Sequence, residues 1–145
     1  MMKDGLHNNV KYSRAISPVA TAPTGTTPIV SQILDMANFT QAECIIQLGS
    51  LADVDATFAV LVEDGDDSSL SDNAAVADVF LLGLEAGMFL FSSDDDTTKI
   101  GYIGPKRYLR VTITPAANSG DVCLAAVWAQ SGARNLPQST QIVAG

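Results

Sequence analysis

RYLRVTIT, residues 107–114, places Leu109, Val111 and Ile113 on one side and Tyr108, Arg110 and Thr112 on the other. Successive side chains of an extended strand point to opposite faces, so this period of two predicts a strand with one face on a core and one polar face. The residues before it, GYIGPK at 101–106, read as a bend: Gly101 and Gly104 permit a tight turn and Pro105 fixes the entry to the next strand. Lys106, Arg107 and Arg110 then project from the start and outer face of the strand, which gathers three of the chain's eight positive charges into five positions.

The same kind of signal recurs along the chain. PIVSQILDM, ECIIQL, TFAVLVE, KIGYI and VCLAAVW are short runs rich in β-branched and aliphatic residues, bounded by Gly, Asp, Asn, Ser or Pro. Short strands with turn signals and no helical stretches between them predict an all-β fold, a single β-sandwich or jelly-roll domain. VCLAAVW is apolar at every position, as expected of a central strand covered on two sides, with Trp128 closing one end of the layer. DNAAVADVFLLGLEAG, residues 72–87, carries both a helical stripe and a possible strand start; it reads as a short helix or loop leading into a strand at MFLF.

Residues 1–28 differ. Pro18, Pro23 and Pro28 punctuate a Ser-, Thr-, Ala- and Gly-rich segment without sustained periodicity, which predicts an extended N-terminal arm with little core of its own, ahead of a sandwich over 29–134 and a short tail over 135–145. Lys3, Lys11 and Arg14 stand against Asp4 in the arm, a net of +2, whereas residues 29–145 carry five positive and fifteen negative groups, a net of −10. Arm and body are complementary in sign.

A chain of 145 residues suits one domain whose core needs no metal or disulfide. Its net charge of −8 opposes direct nucleic-acid binding. No apolar run approaches the ~20 residues of a membrane span, and the start carries no signal-peptide pattern. Cys44 and Cys123 lie in apolar runs and read as buried thiols, with a disulfide between facing strands left open. No cofactor or metal is expected: the acidic runs EDGDD (63–67) and DDD (94–96) lack the alternating ligand spacing of a calcium loop and read as solvated turns. Catalysis is not expected either. His7 is the single histidine, no GxSxG, HExxH or CxxC occurs, and GxxG at 101–104 is too short for a phosphate loop.

The element KIGYIGPKRYLR (99–110) resembles one found in a family of small structural proteins of tailed phages, encoded near the major capsid gene. A Pro- and Thr-rich start, the strand and acidic turn TFAVLVEDGDD, and the ending AAVWAQSGARNLP extend the resemblance over about residues 26–137. It implies a capsid cement, or decoration, protein: a β-sandwich made in the host cytoplasm and bound to the exterior of an icosahedral head. There it would tie major capsid protein subunits together, as a dimer or trimer of its own. The 72–87 insertion departs from shorter family members. A head-to-tail connector or tail component is the alternative in the same setting. A carbohydrate-binding sandwich is less favoured, since Trp128 offers no exposed stacking platform. The candidate partner-binding residues are Lys3, Lys11, Arg14, Lys106, Arg107 and Arg110. For the last three, pairing within the chain, to the turn at Asp94–Asp96, is the competing expectation.

Overall fold

The computed structural model describes residues 5–19 and 21–136. In chain order these form a one-turn helix α1 (Gly5–Asn9) and ten strands: β1 (Lys11–Ile16), β2 (Ile29–Val30), β3 (Leu34–Asp35), β4 (Gln41–Leu51), β5 (Thr57–Gly65), β6 (Ala74–Ala75), β7 (Leu81–Leu82), β8 (Thr97–Tyr102), β9 (Tyr108–Ala116) and β10 (Val122–Ser131). A single 3₁₀ turn, Asp78–Phe80, precedes β7.

RYLRVTIT lies within or next to β9, and its predicted inner residues Leu109, Val111 and Ile113 are fully buried. β9 pairs with β5 along nine residues, from Thr57 opposite Ala116 to Gly65 opposite Tyr108. β2 and β3 pair with its other edge, and β6 adds to β5. The other sheet has the order β1-β10-β4-β8-β7, all antiparallel. Cys44, Ile46 and Leu48 of β4, Ile100 and Tyr102 of β8 and Trp128 of β10 form one buried cluster with Phe58, Val60 and Val62 of β5 and the β9 trio. The chain is an all-β sandwich whose core is the two inner faces, each fully buried aliphatic side chain contributing about 1.5–3 kcal/mol.

Four expectations change. MFLF (88–91) is not a strand: Phe89 drops singly into the core and stacks on Phe58, centroids 5.0 Å apart, while Leu90 and Phe91 stay exposed. Residues 72–87 hold two two-residue strands and the 3₁₀ turn. Within 1–28, Lys11–Ile16 is a strand of the first sheet with Ala15 and Ile16 buried, so this part of the expected arm belongs to the core. Pairing with β10 supplies the backbone bonds that its weak periodicity could not signal. Finally, β10 is central but covered on one side only; Val127 on its outer face is 41% exposed.

Candidate functional site

The bend predicted from GYIGPK fastens the two sheets together. Tyr102, at the end of β8, is 1% exposed, and its hydroxyl donates to Asp64 Oδ2 of β5 in the opposite sheet at 2.7 Å. The Tyr102 hydroxyl oxygen in turn accepts from the Lys106 backbone N–H at 3.0 Å, so the loop closes over the ring. Gly104 makes that closure possible: a Cβ there would stand 2.5 Å from the Tyr102 ring. Burial, and then the bond to Asp64, push the Tyr102 phenol above its ordinary range.

Each of the three cations in the stretch has a carboxylate within the chain. Arg107 makes a two-point contact with Asp35, Nε to Oδ1 and Nη2 to Oδ2 both at 2.9 Å. Arg110 reaches Glu63 Oε2 from Nε at 3.1 Å and Nη2 at 2.8 Å, and Lys106 pairs with Asp66. The Arg107 guanidinium holds the Asp35 carboxyl below its usual range. The expected partner, the turn at Asp94–Asp96, is wrong: Asp94 Oδ1 instead accepts from the Leu51 N–H, at the opposite end of the sandwich. The acidic run 63–67 is also only partly a turn. Glu63 and Asp64 belong to β5, and the loop beyond is organised by Asp72, which accepts from the N–H groups of Asp66 and Asp67.

Of the remaining candidates, Lys3 lies outside the described residues. Lys11 sits over the Phe39 ring at 5.7 Å. Arg14 is exposed on β1 and makes no ion pair among the described residues.

The structure also presents a feature that the charge pattern did not signal. Strand registers define two rows across the outer face of the first sheet: Tyr12, Ala129, Glu43, Gly101 and Leu82 in one, Arg14, Val127, Ile45 and Lys99 in the next. Ala125 continues the apolar line of β10, and Leu6 of α1 stands beside Ile45 and Leu82 at a shallow groove. Tyr12, Val127, Leu82 and Leu6 are all exposed. Its charges are Arg14 and the Lys99–Glu43 pair at 3.1 Å. The outer face of the second sheet is mixed, with Thr57, Thr112, Thr114 and the Arg110–Glu63 pair beside exposed Leu61 and Val30. The all-apolar run VCLAAVW was the available signal for this face, read as a doubly covered strand.

Charge divides the molecule along the strands. Where β4 ends and β10 begins, Asp53, Asp55, Asp94, Asp95, Asp96 and Asp121 gather with no Lys or Arg among the described residues. At the other end Lys11, Lys106, Arg107 and Arg134 stand beside Asp35, Asp64, Asp66, Asp67 and Asp72, so that end is close to balanced.

Cys44 faces inward and burial pushes its thiol up to about 12, whereas Cys123 is half-buried on the outer face; both are free. They lie on opposite faces of the sheet, because Cys44 stands opposite Trp128, five residues from Cys123. Among the described residues no group of three His, Cys, Asp or Glu could hold a metal, and no helix is long and apolar enough to cross a membrane.

No family model matches the chain. No curated protein matches it either. Among solved structures it is similar to a chain described as "Capsid of Ralstonia phage GP4", with 12% sequence identity and a TM-score of 0.47, over 92% of this chain and 86% of that one. At that score the likeness defines neither a shared fold nor a function.

Proposed function

We propose that the chain is a non-catalytic structural component of a tailed-phage particle: a cement protein that binds the exterior of the head and ties neighbouring major capsid subunits together. The observation that carries this reading is the apolar outer face of the first sheet, where Tyr12, Val127 and Leu82 are exposed and Ala129 and Ile45 half-buried between them. A contiguous apolar surface of this kind marks a protein contact, and the groups with chemical potential are paired or scattered. The resemblance of residues 26–137 to phage cement proteins narrows the assembly to a head.

Shell contact is assigned to the less acidic end of the sandwich, with Lys11, Lys106 and Arg107, and with Lys3 in the preceding segment. Arg110, held by Glu63 on the outer face of the second sheet, stands apart from that end. Individually modest contacts repeated over a lattice add up through multivalency, so tight binding of each copy is not required.

Co-sedimentation of the purified chain with heads lacking it tests the reading. Saturable binding in a fixed ratio to capsid subunits, weakening with added salt, is the expected result. Binding to isolated tails or connectors but not to heads would replace it with the connector reading, and binding to neither would remove the phage assignment.

A further inference from the structure

We infer that the outer edge of β1, over Lys11–Arg14, is a docking site for an extended segment of another protein, which adds as a further strand and carries apolar and acidic side chains in alternation. The inference concerns the chain and a peptide, and stands whether or not the chain is a head component.

Among the described residues β1 is the one long strand at the end of a sheet. The sheets end in β1 and β7, and in β2 and β6 with β3 beside β2; all of these except β1 are two residues long. β1 runs six residues, pairs with β10 on one side, and has no strand on its other side among the described residues. An antiparallel strand turns alternate N–H and C=O groups to each side, so Lys11–Arg14 present an edge about 13 Å long. The edge stops at Ala15, whose carbonyl accepts from the Gln32 N–H at 2.8 Å. The Gln32 carbonyl accepts in turn from Trp128 Nε1 at 3.3 Å, so Gln32 seals the seam between the sheets and the groove lies beyond it.

A row of backbone groups is matched by another extended main chain, which makes the ligand a polypeptide strand rather than a small molecule. The side chains beside the edge set its pattern. Ser13 faces inward, opposite buried Trp128, and on that side the groove, of about 640 Å³, is lined by Ile16, Leu34 and exposed Ile33. Tyr12 and Arg14 face outward, opposite Ala129 and Val127. The side chains of an added strand alternate in the same way, so every second one meets Ile33 and those between lie beside Arg14.

Charge fixes the second half of the pattern. Arg14 is exposed and makes no ion pair among the described residues, whereas Lys99, Lys106, Arg107 and Arg110 each hold a carboxylate. Asp or Glu at the outward positions of the added strand supplies the missing partner. A second copy of β1 does not: two such edges side by side set Lys11 and Arg14 of one against the same cations of the other. Basic residues and a bulge, here between Arg14 and Ile16, are how edge strands avoid their own kind.

Titration of the isotope-labelled full chain with a blocked hexapeptide of alternating valine and aspartate tests this, read by amide shifts and amide exchange. Saturable binding with a Kd below about 1 mM is expected, with slowed exchange at amides within Lys11–Arg14. Of two versions N-methylated at alternate residues, the one whose methyl groups face β1 should lose binding and the other keep it. Arg14→Glu should bind the aspartate peptide at least ~10-fold more weakly and gain affinity for a valine–lysine peptide. Circular dichroism is its fold control, and if R14E does not fold, the N-methylated pair, run on the wild type, decides alone. No binding at several millimolar overturns the inference, and so does equal binding by both N-methylated peptides, which would leave charge alone at work. Edge amides that are protected in the peptide-free chain and released by deleting residues 137–145 would assign the edge to the chain's own end and overturn it as well. No arm of the experiment contains heads, so its failure leaves the head reading untouched.

Discussion

Tyr102→Phe removes one oxygen from the contact that joins the sheets and leaves the ring in place, so the apolar burial of the side chain is unchanged. Two hydrogen bonds go. The bond to Asp64, 2.7 Å and made to a carboxylate that is only 9% exposed, contributes about 1.5–3 kcal/mol, because its loss leaves a buried charged acceptor short of a donor. The 3.0 Å bond from the Lys106 N–H contributes about 0.5–1.5 kcal/mol. The expected loss is therefore about 2–4 kcal/mol. At roughly 3 °C per kcal/mol for a domain of this size, the melting temperature falls by about 6–12 °C. Thermal and urea unfolding followed by circular dichroism measure it. Asp64→Asn, which retains an acceptor, should cost less, and the Y102F/D64N pair should fall short of additivity by about 1 kcal/mol or more. The pH dependence has a definite sign. The folded phenol is raised, so its contribution is fully present below the ordinary tyrosine value of about 10 and is lost as pH rises beyond it toward the folded value. The wild type should show this alkaline loss and Y102F should lack it. A Y102F protein within about 0.5 kcal/mol of wild type, or a fully additive pair, refutes the lock.

Gly104→Ala forces a methyl group against the Tyr102 ring and should destabilise by about 1–3 kcal/mol in the same unfolding assays, with Tyr102 fluorescence reporting the displaced ring. Replacing the three cations singly should separate them by burial: R110Q, whose pair with Glu63 is partly buried, costs about 1–2 kcal/mol, while K106Q and R107Q, in exposed pairs, leave the unfolding midpoint almost unchanged. Asp35 is held below its usual range by Arg107, so its contribution is present above the ordinary carboxylate value near 4 and fades as pH falls through the folded value; carboxyl NMR titration should show that value rising in R107Q. Glu85 Oε1 accepts from the Val62 N–H at 2.5 Å on the β5 edge, so Glu85→Ala should accelerate amide exchange at Val62 while exchange at Val111 opposite, whose N–H donates to Ser31 Oγ, changes little.

The fold class was legible because β9 writes its two faces into alternate residues, and a period of two with one buried face admits little else. β1 was not legible: KYSRAI lacks that alternation and precedes a proline, and only its pairing with β10 makes it a strand. MFLF misled because one buried aromatic, Phe89, looks like a strand in a short apolar run. For the basic stretch, the bend and the outward side of Arg110 followed from Gly, Pro and periodicity. Its ion-pair partners did not, because Asp66, Asp35 and Glu63 lie 40, 72 and 47 residues away in sequence. Pairing by proximity in sequence pointed to Asp94–Asp96, and the antiparallel course of β8 carries that turn to the far end of the sheet. The apolar outer face was written in VCLAAVW, but a strand apolar on both sides reads the same whether its second side meets its own chain or another.

Six carboxylates with no cation among the described residues at one end of the strands, and four cations against Asp35, Asp64, Asp66, Asp67 and Asp72 at the other, make the molecule a rod with tips of unequal charge, about 30 Å apart over the ten residues of β10. That separation exceeds the ~8 Å Debye length of physiological salt several times over, so the tips do not screen one another and each acts on its surroundings alone. Near any charged wall the rod experiences a torque before it touches, and arrives with one tip forward. Orientation at first encounter is thus decided by where six aspartates lie, in loops that contribute little to the core.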